Sequence, residues 1–199
     1  MRVINSSVSV ILLCAAVTGC SAASEEQPKQ GGSGNNGGVT EGSTADVQAL
    51  FTSEGEHPEE AIVQLIVEAK SSLDIAVYSI SYEPIVTAII DAAERGVQVR
   101  LITDQGHAEE KGKQKKALKM IREAGVPIKV NAHEGKMHLK MLIADQSRVE
   151  AGSMNYLESS AQENDDVVLI IKDAAVAAKF EKTFSHLWDD ADRFTDWKG

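Results

Sequence analysis

The sequence predicts one α/β domain, a mixed and mostly parallel sheet with helices on both faces, carried behind a polar tether. Three observations lead there. From about residue 46 onward, short apolar strands rich in β-branched residues alternate with amphipathic helices. The helical stretches stop at Gly, once with Pro just beyond. A chain of 199 residues leaves room for one ordinary domain plus attachments.

Glu59–Lys70 places Ile62, Leu65, Ile66 and Ala69 on one helical face, and Leu73–Ile80 follows as a β-branched strand. Ile85, Ala88, Ile89 and Ala92 repeat the helical spacing before Arg95-Gly96 ends it, and Val97–Thr103 is the next strand. A third helix is expected over Ala108–Ala124, burying Ala117, Met120, Ile121 and Ala124 and ending at Gly125, with Pro127 beyond. Val126–Val130, Leu139–Ala144, Arg148–Ala151 and Val167–Ile171 read as further strands. The last helix, Ala174–Trp188, turns Val176, Phe180, Phe184, Leu187 and Trp188 inward.

Residues 1–45 are of another kind. Arg2 precedes the apolar run Val8–Val17, which is too short to span a bilayer and reads as a signal peptide over residues 1–19. It closes on Val17-Thr18-Gly19-Cys20, which resembles the lipobox of bacterial lipoproteins, so Cys20 is the expected acylation site. Residues 20–45 are rich in Gly, Ser, Asn and Gln and cannot form a core; as a flexible coil they would hold a domain about 25–30 Å from a bilayer. Residues 46–199 are then expected to form the folded domain. The expected location is extracytoplasmic and membrane-anchored, in the cell envelope. Cys14 and Cys20 are the only cysteines, so the domain has neither a disulfide nor a thiolate metal ligand.

The formal charge is −10, but its distribution matters more. Between Lys111 and Arg148, ten basic residues face only Glu123, Glu134 and Asp145, a basic island suited to an anionic substrate. Lys111, Lys115, Lys119 and Arg122 share one face of the third helix, opposite Ala117, Met120 and Ile121. Such a stripe ordinarily serves as a solvated face; steering of phosphates or lipid headgroups is the sharper alternative. No aromatic residues interleave with it, so base stacking on single strands has no support.

The chemistry concentrates in one stretch. His138 and Lys140, two apart on a strand, project to the same side, and lysine is rarely buried without a partner. Gly152-Ser153-Met154-Asn155 at the end of the next strand adds a hydroxyl, an amide and turn N–H groups, which together suit a phosphate oxyanion. The spacing His-x-Lys-x4-Asp-x6-Gly-Ser-x-Asn resembles the signature of the phospholipase D superfamily. The likeness runs from Phe51 to Trp188 and is of the small single-motif kind, the branch of endonucleases of the Nuc type and of mitochondrial cardiolipin hydrolase.

The resemblance implies a metal-independent phosphodiesterase that needs no cofactor. His138 would attack phosphorus to form a covalent phosphohistidine, while a second motif histidine protonates the leaving oxygen. Lys140 and Asn155 would hold the non-bridging oxygens, with Ser153 assisting from the turn. Asp145 and Gly152 would support the fold. Glu163 is the candidate for orienting the histidine, although alignment on Val167-Val168 nominates Asn164 or Asp165. With one motif per chain, the second histidine must come from a second copy, so the resemblance implies a homodimer sharing one active site. Phospholipid is the expected substrate and DNA or RNA the alternative; a catalytically silent surface-binding protein is the reading from another class. An apolar rim around His138 would favour lipid, and a basic groove nucleic acid. No His-x3-His pair or Asp-x-Asp array suggests a metal site. Of the other histidines, His57 is expected at a helix start, His107 in a loop, and His133 and His186 without a catalytic role.

Overall fold

An unbroken buried run from Leu73 to Val77 makes β2 (Ser72–Val77) a central strand, because a strand covered on both faces has no polar side to alternate. The computed structural model describes residues 45–110 and 112–199. The expected signal peptide, Cys20 and nearly all of the tether lie outside them, as does Lys111 of the basic stripe.

Eight strands join in one sheet in the order β1-β7-β6-β5-β2-β3-β4-β8. Besides β2 they are β1 (Asp46–Phe51), β3 (Gln98–Thr103), β4 (Ile128–Asn131), β5 (Lys140–Ala144), β6 (Arg148–Gly152), β7 (Val167–Lys172) and β8 (Phe194–Asp196). The helices are α1 (Pro58–Val67), α2 (Glu83–Glu94), α3 (Gln105–Glu110), α4 (Gly112–Glu123), α5 (Glu158–Gln162) and α6 (Ala174–Asp189). One face of the sheet is covered by α1, α2 and α4, whose Ile62, Ile66, Ile85, Ile89, Leu118 and Ile121 pack on Leu73, Ile75, Val99, Leu101 and Leu142. The other face carries α6, with Phe184 and Ala177 against Ala76, Ile102, Met141 and Ile143.

The mixed α/β sandwich is therefore as expected, but the sheet is not mostly parallel. Only β2–β3 and β3–β4 pair in parallel; the other five pairings are antiparallel. Parallel neighbours need a crossover helix, which α2 and the α3–α4 pair supply, whereas β5 and β6 are joined by a tight turn that forces them antiparallel. Asp145 and Gln146 occupy that turn with φ of 53° and 55°, and the Ser147 amide donates to the Ala144 carbonyl at 3.1 Å. The loop is three residues long, 145–147, and positive φ at both central positions of its β-turn matches the twist of a hairpin.

Other boundaries moved for local reasons. The helix expected over Ala108–Ala124 is two, α3 and α4, and Met120 is 40% exposed rather than buried. Both α2 and α4 end in the same cap. Gly96 and Gly125, at φ 88° and 86°, bond back to Ala93 and Arg122, and the following valines bond to Ala92 and Ile121. Two edge strands, β1 and β8, had no strong sequence signal. No helix among the described residues is long and apolar enough to cross a membrane.

Candidate active site

The sheet directions bring five chain segments to one edge: the C-terminal ends of β2, β3 and β6, and the N-terminal ends of β5 and β7. His138 lies two residues before β5, where the Tyr78 amide still donates to the Leu139 carbonyl at 2.8 Å and keeps the chain extended. That pairing leaves His138 and Lys140 on one side, as expected. The Lys140 ammonium lies 3.2 Å from His138 Nδ1 and 3.3 Å from Nε2, and donates to the His138 carbonyl at 3.1 Å. Lys140 is 8% exposed; His138 and Leu139 beside it are open to solvent.

The imidazole rests on the Tyr78 ring, with centroids 4.5 Å apart. His107 packs on the same ring at 4.2 Å, and Lys136 and Lys140 place their ammonium groups 5.4 and 5.1 Å from its centroid. His107 is therefore not in a loop: it belongs to α3 and reaches the site through Tyr78. Asp104 accepts from the amides of His107 and Met137, tying the start of α3 to the segment that leads into His138.

The electrostatics follow from these neighbours. Desolvation first, then the charges of Lys140 and Lys136, hold His138 below the usual histidine range, with Asp104 opposing. Burial likewise holds Lys140 below the ordinary lysine value, against the pull of Asp166. At His138 both effects favour the neutral imidazole, the form able to act as a nucleophile toward phosphorus.

The turn after β6 stands opposite. A Cβ at Gly152 would overlap the Val167 carbonyl, so only glycine lets β6 and β7 approach this closely at the site. The Ser153 hydroxyl donates to Asp166 Oδ1 at 2.6 Å and accepts from the Val167 amide at 3.1 Å. Its proton is thus directed at a carboxylate rather than at open solvent. Asn155 is half-buried, and its Oδ1 is buried without a hydrogen-bond partner.

The acid that faces the site is Asp166, not Glu163. Glu163 closes α5 with its amide bonded to Ser159, and its exposed carboxylate makes no hydrogen bond to His138. Asn164 and Asp165 are exposed as well. Asp166 binds Ser153 and is close enough to influence Lys140, and its own backbone is fixed by Thr52 just after β1, through bonds of 2.8 and 3.1 Å.

Asp145 lies at the far end of β5. Burial works to raise its pKa, but the amide and hydroxyl of Ser71 and the amides of Lys70 and Ser72 outweigh that and lower it to about 2. It ties the β5–β6 turn to the entry of β2. His133 packs edge-on against Phe194, His57 caps α1 beside Glu59, and His186 is exposed on α6. Among the described residues no three His, Cys, Asp or Glu side chains converge as a metal site.

Residues 62–188 match the family model described as cardiolipin synthase, PLD-like domain. Mitochondrial cardiolipin hydrolase of Xenopus laevis is 30% identical over 142 residues, covering 70% of this chain and 66% of that protein. A phospholipase D of Rickettsia prowazekii is 31% identical over 119 residues, 60% of this chain and 57% of the other. The match thus spans less than two thirds of either relative's length. The crystal structure of Nuc from Salmonella typhimurium, a phospholipase D family member, superposes with a TM-score of 0.71 at 24% identity, over 78% of this chain and 99% of Nuc. At that identity the likeness speaks for the fold.

Proposed function

The chain belongs to the phospholipase D-like domain family, and on that premise we propose that it is a metal-independent phosphodiesterase hydrolysing phospholipids at His138. The observation that carries the reading is the His138 imidazole, 3.2 Å from the ammonium of Lys140 at an open sheet edge, where burial and that charge lower its pKa.

In the first step a His138 ring nitrogen forms a bond to phosphorus, the bond from phosphorus to the leaving oxygen breaks, and that oxygen takes a proton from a second imidazole. In the second step this imidazole takes a proton from water. The water oxygen bonds to phosphorus and the phosphorus–nitrogen bond to His138 breaks. Lys140 and the Asn155 amide hold the non-bridging oxygens, where charge accumulates. Ser153 and Asp166 fix the turn and the acid beside Lys140. His107 is the one other histidine gathered at this edge, and it packs behind Tyr78. The second imidazole is therefore assigned to His138 of a second copy, in a two-fold homodimer with one shared site.

Leu139, 39% exposed directly beside His138, supports a lipid substrate. Exposed Lys113, Lys116, Lys119 and Arg122 on α4 support the second reading, a nuclease acting on DNA or RNA. Anchoring through Cys20 would hold the domain at a membrane surface.

The test is to assay the chain in EDTA on phosphatidylcholine and cardiolipin vesicles and on single-stranded DNA. The expected result is lipid hydrolysis that survives EDTA, falls at least 1,000-fold in His138→Ala, and leaves the membrane fraction in Cys20→Ala. Cleavage of DNA alone would select the second reading. Activity unchanged in His138→Ala would remove the site assignment, and loss in EDTA the metal-free chemistry.

A further inference from the structure

Glu150 is an unusual residue for its place. It lies in β6 opposite Leu142 and Ile170, both buried, and is itself fully buried on the face covered by α1, α2 and α4. Its Oε2 accepts from the hydroxyl of Tyr156, also fully buried, and its Oε1 is buried with no partner. A half-satisfied buried carboxyl lowers stability relative to an apolar pair of the same shape. Core packing does not account for it.

The position of the pair does. Glu150 precedes Gly152 by two residues and Tyr156 follows Asn155 directly, so their hydrogen bond closes the chain around the Gly152–Asn155 turn. The Tyr156 backbone is also fixed. Its amide donates to the Ser79 carbonyl at 3.0 Å, and its carbonyl accepts from the amides of Ser81 and Tyr82 at 2.8 and 2.9 Å. Those bonds tie the turn to the exit of β2, near Tyr78 and His138, whereas the hydroxyl ties it back to β6. The Asn155 Oδ1 has no hydrogen-bond partner to fix it, so the direction of the amide depends on the backbone on either side. Ser153 and Asp166 hold the first leg, and Tyr156 holds the second.

We infer that Glu150 and Tyr156 form a positioning pair whose hydrogen bond fixes the leg of the turn that presents Asn155 to the substrate phosphate. The inference rests on the proposed phosphodiesterase reading for its substrate, but not for its structural half. Burial pushes the Glu150 carboxyl up to about 7, and the Tyr156 hydroxyl, the one ionisable group acting on it, works in the opposite direction. The pair therefore keeps its bond in either protonation state of Glu150, since a neutral carboxyl still accepts.

Three variants of the full chain test this, with bis(p-nitrophenyl) phosphate as probe. Tyr156→Phe is expected to lower kcat at least 10-fold with KM within 2-fold. Glu150→Gln keeps an acceptor for the hydroxyl and retains most of kcat. The double variant Glu150→Leu/Tyr156→Phe removes the orphaned carboxyl, so its melting temperature returns to or above that of wild type while kcat stays low. Recovery of kcat together with stability in the double variant would reduce the pair to a packing feature and overturn the inference. A second readout is independent of turnover. Backbone amide exchange at residue 156 should be at least 10-fold faster in Tyr156→Phe while amides of β5 are unchanged, and equal exchange would also overturn it. A wild-type chain silent on every phosphodiester would remove the functional reading and leave the exchange result to decide the clamp.

Discussion

Three charges act on one imidazole, and they do not act alike. Lys140 and Lys136 disfavour a protonated His138, and Asp104 favours it. If neutral His138 is the nucleophile, activity falls as pH drops through its folded pKa, and that limb lies below the usual histidine titration. Lys136→Ala removes a cation and raises the His138 pKa, so the acid limb of kcat/KM should move to higher pH; Asp104→Asn should move it to lower pH. Limbs that coincide with wild type in both variants would show that this imidazole does not set the profile. The choice of acid was harder to see from the sequence than the histidine. Glu163, Asn164, Asp165 and Asp166 are consecutive, and which of them faces Lys140 depends on where α5 stops and on how β7 registers against β1 and β6. That register is a tertiary fact. Tyr78 was hidden for a similar reason: it reads as one more apolar strand residue, and only the Leu139 pairing brings its ring under His138.

The β5–β6 hairpin shows how an element far from the chemistry supports it. Asp145 gathers amides of Lys70, Ser71 and Ser72 and a guanidinium nitrogen of Arg148, so it ties together the two central strands on which the site is built. Its folded pKa, about 2, lies below the ordinary 3.8. The stabilisation is therefore complete above the unfolded value and lost as pH falls toward 2. Asp145→Ala should cost about 1–2 kcal/mol in urea denaturation near pH 7, of the size of a lost helix cap, and the difference should shrink below pH 4. Gln146→Gly should act oppositely, gaining about 1 kcal/mol by relieving a positive φ. A null result for both would show that the turn contributes little. Periodicity located every long helix and central strand because burial on one face leaves its mark in the sequence. It did not locate β1 and β8. Five of the six β1 residues are exposed, β8 has only three residues, and an edge strand owes its shape to its neighbour. Strand direction was equally illegible, since an apolar run reads the same whichever way it is paired.

For the whole molecule, the proposed dimer makes a stoichiometric demand. Two copies of His138 would serve one site, one as nucleophile and one as acid, so rapid quenching of a slow substrate should trap one phosphate for every two chains. One phosphate per chain, or a fully active monomer in light scattering, would contradict the shared site. The motif was legible because its spacing is carried by two adjacent strands and a tight turn; the second copy leaves no comparable mark in one chain. The chain enters its sheet through β1, an edge strand whose pairing with β7 begins at Asp46–Lys172 and finishes at Phe51–Val167, one residue before Thr52 takes hold of Asp166. If the N-terminal side is held at a membrane, drag on the domain loads β1 at the end remote from the site. The strand then peels like a zipper, pair by pair, and six pairs must open before the pull reaches the acid beside Lys140. Under such a tether β1 would act as a mechanical fuse, sparing the site while tension is absorbed at the rim.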